Sequence, residues 1–164
     1  MKTLFIIRHA KSSWAEPHQS DFERPLNERG KKDAPIMASR LHQKINSIDY
    51  ILCSSALRTK QTGDFFSKEF NLENDSIEYV DKLYHAPATV IFSVVEKLND
   101  KLDSVALICH NPGITEFVNS LCNKVHIDNM PTCAIFAVQI KNDSWKDFES
   151  AEKEFLFIDY PKKN

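Results

Sequence analysis

Short apolar runs along the chain alternate with segments whose apolar residues recur at helical spacing. The runs have the length and the bounding polar residues of buried strands. They cover residues 3–7, 50–53, 77–80, 105–109, 134–140 and 155–158. Helical spacing relates Ala34, Met37, Ala38, Leu41 and Ile45, and similar faces follow within residues 57–70, 91–98 and 114–121. This alternation predicts an α/β protein.

The order of the elements predicts a three-layer α/β/α sandwich around a mostly parallel sheet of five to six strands. The last two runs have no long crossover between them, so we expect an antiparallel pair near one edge. Asn27 is expected to cap the first helix, and Pro35 to kink it or divide it in two. The 164 residues predict a single domain over 1–164, with short loops throughout and no cap domain.

Charge and composition exclude several classes of protein. Lysine and arginine number 21 against 23 acidic residues, a balance too acidic for an extended nucleic-acid interface. No apolar run approaches the roughly 20 residues of a membrane helix. The three glycines form neither a dinucleotide-binding nor a P-loop motif. Four cysteines without C-x-x-C spacing indicate reduced thiols, and we expect a cytoplasmic protein without nucleic-acid or membrane partners.

Cationic side chains follow three of the predicted strands. Arg8 and His9 follow the first run, Arg58 comes one short turn after the second, and His110 follows the run at residues 105–109. Ligands of such sheets bind at the carboxyl ends of the strands, and few acids flank these residues. Because gathering four potential cations is costly without an anion between them, the sequence predicts a phosphoryl pocket.

The pocket also contains a potential nucleophile. His9 can attack as a neutral imidazole and form a phosphohistidine that water cleaves, while His110 donates to a phosphoryl oxygen. A metal site is disfavoured because two arginines would repel a divalent cation, and no cofactor is expected. A cysteine phosphatase built on Cys53 is also disfavoured, because only four residues separate it from Arg58. A phosphoanion-binding module and a phosphocarrier stay open.

These residues lie in segments that resemble the histidine phosphatase superfamily, which has the phosphoglycerate-mutase-like fold. The chain is most similar to the small SixA-type phosphohistidine phosphatases. The segments are LFIIRHAKSSW, DFERPLNERG, SSALRTKQT, LYHA, LICHNPG and FLFIDYP, nearly end to end. The resemblance implies that His9 is phosphorylated and that Arg8, Arg58 and His110 hold the phosphoryl group. It adds Ser12 as a phosphate contact, although a local turn bond is an equal alternative for the Ser12 hydroxyl. Because Asn111 follows His110, its backbone N–H is also expected to reach the pocket.

One departure from the family pattern bears on the substrate. His85 stands where many members carry a glutamate that serves as general acid. An alkyl ester needs such an acid, whereas the imidazole of a phosphohistidine leaves more readily. We therefore expect a protein phosphohistidine as the substrate. The alternative is a small-molecule phosphomonoesterase, acting on a phosphorylated metabolite with His85 as acid.

Two further expectations concern the loop after the first strand. Asp21 and Glu23 are possible acids, but we expect them to order this loop, for example through Arg24. Trp14 is expected either at the pocket mouth or packed against the end of the sheet. The sequence leaves the oligomeric state and the physiological partner open.

Overall fold

Strands and helices alternate from Lys2 to Leu121, as the apolar pattern predicts. The computed structural model describes residues 1–163. Its elements in chain order are β1 (Lys2–Arg8), α1 (Glu28–Lys44), β2 (Tyr50–Ser54), α2 (Leu57–Glu69), β3 (Ile77–Val80), α3 (Ala88–Glu96), β4 (Ser104–Cys109), α4 (Gly113–Leu121), β5 (Ile135–Ile140) and β6 (Lys153–Asp159). Four short 3₁₀ turns connect them, of which Asp21–Glu23 and Asp81–Leu83 lie near the site described below.

The six strands form one sheet in the order β3-β2-β4-β1-β5-β6. The pairs β3–β2, β2–β4 and β4–β1 are parallel. The pairs β1–β5 and β5–β6 are antiparallel. This confirms both the mostly parallel sheet and the antiparallel pair at one edge. The carboxyl ends of β1, β2 and β4, three adjacent strands, therefore lie side by side.

Helices cover both faces of the sheet, which explains why its central strands are almost continuously apolar. Along β1, Leu4 and Ile6 pack in the core beneath α3 and α4. Phe5 and Ile7 face the opposite side, beneath α1 and α2. Each fully buried side chain of this kind stabilises the fold by roughly 1.5–3 kcal/mol. The end of β1 is consequently held from both faces.

Helix α1 begins and continues in a way that the sequence predicts only in part. The Asn27 side chain accepts a hydrogen bond from the Gly30 amide at 2.8 Å, which confirms the expected cap. The helix runs from Glu28 to Lys44 without a break, so of the two effects expected of Pro35, a kink or a division, the division does not occur. The missing Pro35 N–H costs one backbone hydrogen bond, which the buried face of the helix outweighs.

The connection between β1 and α1 contradicts the expectation of short loops. It spans residues 9–27 and is fastened by a backbone bridge between Ser12 and Leu26. It also lies close against the start of α1, where a Cβ on Gly30 would come within 2.1 Å of the Lys11 carbonyl oxygen. A glycine is therefore required at position 30, and the loop is held near the carboxyl end of β1.

A second close approach lies at the start of α4. A Cβ on Gly113 would come within 1.8 Å of the Ala86 carbonyl oxygen. Only a glycine allows the segment between β3 and α3 to lie this close to the loop that follows β4. Tyr84 and His85 are thereby brought beside His110. No helix within residues 1–163 is both long and apolar enough to cross a membrane.

Candidate active site

A cavity of about 210 Å³ opens at the carboxyl ends of β1, β2 and β4. The structure brings all seven residues singled out from the sequence to its wall. The lining residues are Arg8, His9, Lys11, Ser12, Trp14, Asp21, Arg24, Arg58, His85, His110, Asn111 and Thr132. Strand ends supply the deepest of these side chains, and the loop over residues 9–27 supplies most of the mouth.

His9 directly follows β1 and is almost completely buried. Its Nδ1 lies 2.7 Å from the Ala10 carbonyl oxygen, an acceptor only, so Nδ1 carries the proton. The Arg58 Nε–H donates to Nε2 at 3.4 Å, which requires a lone pair there. Burial, together with the charges of Arg58 and Arg8, lowers the pKa of His9 to about 3. The ring is therefore neutral at pH 7, and Nε2 holds the reactive lone pair.

The backbone beside His9 is fixed by helix α2. The Ala10 amide donates to the Thr62 hydroxyl at 3.0 Å, and that hydroxyl donates to the Arg58 carbonyl oxygen at 2.8 Å. Both groups are buried. This chain of hydrogen bonds links the end of β1 to the helix that carries Arg58, and so sets the distance between the histidine and the guanidinium.

His110 follows β4 and lies with its ring centroid 5.2 Å from that of His9. Its Nε2 is 2.7 Å from the hydroxyl of Ser54, the last residue of β2. Burial, with His9 and Arg58 nearby, lowers the pKa of His110 to about 2, so this ring is also neutral. Its Nδ1 is buried and has no hydrogen-bond partner within residues 1–163.

The two arginines are held by backbone carbonyl groups. Arg8 donates through Nη1 to the Met130 oxygen at 2.8 Å, and burial followed by the charge of Arg58 lowers its pKa. Arg58 donates through Nη1 to the backbone carbonyl oxygen of Asp21 at 2.6 Å. Its Nη2 donates to the side-chain carboxylate of Asp21 at 3.0 Å. Two fixed guanidinium groups on one small cavity favour a bound oxyanion.

Asp21 corrects the expectation that few acids lie near these cations. Its carboxylate accepts hydrogen bonds from Tyr84 at 2.6 Å and from Arg24 at 3.1 Å, in addition to Arg58. Burial alone would raise the pKa of Asp21, but the Tyr84 hydrogen bond and the charge of Arg58 outweigh it and hold the pKa well below its usual range. Asp21 also pairs with Arg24, as the sequence predicts.

Three residues predicted for the site lie nearer its edge. His85 is half exposed, has a left-handed backbone (φ 51°), and places Nε2 3.0 Å from the Asp21 carboxylate. Ser12 accepts a hydrogen bond from Arg24 at 2.6 Å, so its hydroxyl proton stays available for donation. The Asn111 side chain accepts from Thr115 at 2.6 Å and donates to the Met130 carbonyl oxygen at 3.2 Å.

The mouth of the cavity carries exposed aromatic rings. Trp14 is 75% exposed, and the Arg24 guanidinium carbon lies 3.6 Å from its ring centroid. Phe22 meets Tyr84 edge-on, with centroids 5.0 Å apart. Of the two places expected for Trp14, the structure shows the mouth.

Sequence reasoning missed four residues, which are Lys11 and Thr132 on the cavity wall and Ser54 and Tyr84 in contact with His110. Ser54 directly follows an apolar run, which is the same signal that identified Arg8 and His110. Tyr84 adjoins His85 but belongs to no periodic pattern. Within residues 1–163, no group of three or more histidine, cysteine or acidic side chains is placed to hold a metal ion.

Comparisons with known proteins agree with this geometry. A sequence model of the histidine phosphatase superfamily (branch 1) matches residues 4–83. An uncharacterised protein of Mycobacterium leprae is 28% identical over 116 residues, which are 66% of this chain and 66% of that protein. The match thus spans just under two thirds of that relative's own length.

Two solved structures match over nearly their whole length. The SixA structure from Agrobacterium tumefaciens has a TM-score of 0.83 and 25% identity, covering 98% of both chains. The protein histidine phosphatase SixA complexed with tungstate has a TM-score of 0.81 and 27% identity, covering 97% of both chains. With the strand order and the matched segment, these similarities identify the histidine phosphatase superfamily, and its SixA-type members in particular, as the proteins that this chain resembles.

Proposed function

We propose that the chain is a metal-independent phosphatase that acts on protein phosphohistidine through a phosphorylated His9. The observation that carries this proposal is the state of His9 Nε2. Its lone pair lies on the wall of a small cavity, beside the Arg58 guanidinium, while Nδ1 is protonated and bound to Ala10. An imidazole held in this form is ready to attack phosphorus without first losing a proton.

The proposed first step transfers the phosphoryl group to His9. A bond forms between Nε2 and phosphorus while the bond from phosphorus to the substrate nitrogen breaks. The substrate ring reacts with a proton on its other nitrogen, so it keeps the electron pair of the broken bond and leaves as a neutral imidazole. Arg8, Arg58 and His110 contact the phosphoryl oxygens as charge builds on them. The Ala10 carbonyl stabilises the positive charge that develops on the His9 ring.

The second step returns His9 to its starting state. Water attacks the phosphorus and the bond to Nε2 breaks, so that phosphate leaves with the water oxygen. The proton released by the water passes to phosphate or to solvent. The Nδ1 proton of His9 stays in place through both steps, which is why the Ala10 contact matters.

The leaving-group side of the cavity favours a phosphoramidate over an alkyl ester. Asp21 accepts hydrogen bonds from Tyr84, Arg24 and Arg58 and is ionised, so it is a poor proton donor at neutral pH. An alkoxide requires strong acid assistance, whereas an imidazole leaves with little. The cavity as built therefore suits a nitrogen leaving group.

The mouth suits a substrate attached to a protein. It is open, and the exposed Trp14 ring, backed by Arg24, provides a flat surface at its edge. A planar imidazole can stack there while its phosphoryl group enters the cavity. SixA complexed with tungstate shows that a relative of the same fold binds an oxyanion.

One observation favours a second candidate, a small-molecule phosphomonoesterase with His85 as acid. His85 Nε2 lies 3.0 Å from the Asp21 carboxylate, and this contact holds the ring at the edge of the cavity. His85 would then supply the proton that an alkoxide needs.

The test is phosphate release from a phosphohistidine peptide and from an aryl phosphate, with and without a chelator. We expect the wild type to prefer the peptide and to be insensitive to the chelator. His9→Ala should lose release from both substrates, whereas His126→Ala, which changes an exposed histidine, should keep it. Retained activity in His9→Ala, or loss with the chelator, would refute the proposal.

The same assay separates the alternatives. If His85→Ala loses turnover of the ester but keeps turnover of the peptide, His85 is an acid for esters only. If the wild type releases phosphate only from the ester, the metabolite phosphatase is the better description. A long-lived phosphorylated His9 with no phosphate release would indicate a phosphocarrier, and no reaction at all a phosphoanion-binding module.

A further inference from the structure

We infer that Ser54 is a positioning residue that selects the tautomer of His110. In this arrangement the Ser54 hydroxyl donates to Nε2 of His110, so that Nδ1 carries the ring proton and donates it to a phosphoryl oxygen. The use of that proton rests on the proposed function. The tautomer itself can be tested without any activity.

The placement of Ser54 follows from the sheet. Ser54 ends β2, and His110 comes directly after β4, the parallel neighbour of β2. Ser54 is fully buried, and its hydroxyl oxygen lies 2.7 Å from His110 Nε2. The oxygen also accepts a long hydrogen bond from the Ala56 amide at 3.4 Å. With a backbone donor on this oxygen, the hydroxyl proton is left for the imidazole nitrogen.

The neutral His110 ring has only one N–H, so the Ser54 contact decides what the other nitrogen offers. A proton on Nε2 would point to Ser54 and leave a bare lone pair at Nδ1, which would repel a phosphoryl oxygen. A hydroxyl that donates to Nε2 puts the proton on Nδ1. Only this second tautomer lets His110 act as a donor toward an anion.

The unpaired polar atoms of the structure support the second tautomer. Within residues 1–163, two buried side-chain nitrogens have no hydrogen-bond partner, Nδ1 of His110 and Nε of Arg8. Both residues line the same cavity. Leaving a buried donor unpaired is unfavourable, and a bound oxyanion would satisfy both at once. Arg8 Nε can only donate a hydrogen bond. If His110 Nδ1 also carries a proton, both nitrogens are donors that a single oxyanion can accept from.

The direct test is ¹⁵N NMR of the histidine-labelled protein without ligand, with His110 identified by the loss of its signals in His110→Gln. We expect a protonated Nδ1 and an unprotonated Nε2 at neutral pH. Ser54→Ala should shift both signals toward a mixture of tautomers, and Ser54→Thr should restore the wild-type pattern. A protonated Nε2 in the wild type would overturn the inference, whether or not any variant folds.

Binding of inorganic phosphate, followed by calorimetry, tests the consequence. Ser54→Ala should weaken binding about 2- to 10-fold, because only the fraction of His110 rings protonated at Nδ1 then binds phosphate with full affinity, and Ser54→Thr should restore it. Ser55→Ala is the matched control, because the Ser55 hydroxyl bonds to Asp81 instead. In the His110→Gln background, Ser54→Ala should have no further effect. Unchanged binding in Ser54→Ala would contradict the inference.

The two measurements separate this inference from the proposed function. A wild-type protein with the expected tautomer that binds phosphate but releases none from any substrate would refute the phosphatase and leave the role of Ser54 standing. A wild type that turns over substrate but carries the His110 proton on Nε2 would refute the role of Ser54 and leave the phosphatase standing.

Discussion

The floor of the cavity and its rim are built in different ways. The floor consists of Arg8, His9, Arg58 and His110, which lie at or directly after strand ends, or at the start of a helix, and are largely buried. The rim consists of Trp14, Asp21 and His85, all on connecting segments and much more exposed. A rigid floor suits the part of the reaction common to all phosphoryl groups, and a looser rim suits recognition of the group that leaves.

The same division separates the charge states. The two floor histidines are neutral because burial and neighbouring arginines disfavour their protonation. Asp21 on the rim is ionised, because hydrogen bonds and cations outweigh its partial burial. At neutral pH the nucleophile is therefore ready to attack, while the ionised carboxylate supplies no proton. This combination fits the proposed phosphoramidate substrate, whose leaving group needs little acid assistance.

The largest effect is expected from breaking the floor with Arg58→Lys. The charge is kept, but the planar fork that contacts both His9 and Asp21 is lost. We expect turnover of the phosphohistidine peptide to fall about 100- to 1,000-fold, as when one fixed donor to a developing oxyanion is removed. Steady-state phosphate release measures it.

The matched control is Arg40→Lys, at an arginine outside the cavity that binds the Tyr160 carbonyl oxygen. It should keep wild-type turnover. Equal losses in the two variants would mean that Arg58 contributes only to folding.

The next effect concerns the junction of floor and rim, at Gly113. A methyl group there would clash with the Ala86 carbonyl oxygen and displace Tyr84 and His85 from His110. We expect Gly113→Ala to lower the free energy of unfolding by roughly 1–3 kcal/mol, measured by urea denaturation. Gly63→Ala is the control, because a Cβ on this residue of helix α2 would make only ordinary contacts at 3.5 Å with Cys53 and Ile108.

An unchanged stability in Gly113→Ala would show that the two segments separate at little cost. The rim would then not be fixed relative to the floor.

The floor residues could be predicted from the sequence, whereas much of the rim could not. Arg8, His9 and His110 directly follow apolar runs, and parallel strands bring their carboxyl ends to one edge. Asp21 lies within a long loop without periodicity, so its contact with Arg58 depends on how that loop folds back. Ser54 follows an apolar run too, but its role becomes visible only once β2 and β4 are known to be neighbours.

The rim carboxylate should show itself in the pH dependence of stability. The pKa of Asp21 is lower in the folded protein than in the unfolded chain, so its stabilising effect is complete above about pH 4 and is lost as the pH falls through the folded pKa. We expect Asp21→Asn to be less stable than the wild type at pH 7, with a smaller difference at pH 3. Urea denaturation at both pH values measures this.

The exposed Asp143 offers the matched control, since its partner is the chain's amino terminus. Asp143→Asn should change stability little at either pH. A difference between Asp21→Asn and the wild type that grows toward pH 3 would contradict the ionised state of Asp21.

The smallest effect is expected at the outer rim. Trp14→Ala removes the exposed ring that Arg24 supports. We expect KM for the phosphohistidine peptide to rise about 2- to 10-fold, in keeping with the loss of one stacking contact, while turnover of a small acyl phosphate stays the same. Trp14→Phe should recover most of the affinity. Equal changes for both substrates would mean that Trp14 supports the cavity and does not recognise the leaving group.

The central claim is that His9 Nε2 takes the phosphoryl group, and trapping that intermediate tests it most directly. A single-turnover reaction with the phosphohistidine peptide is stopped in alkali within milliseconds, and the protein is digested and analysed by mass spectrometry. We expect an acid-labile phosphoryl group on His9 that forms and decays as phosphate appears, and that is absent in His9→Ala. Phosphate release with no phosphorylated His9 at any time, or with phosphorylation at another residue, would contradict it.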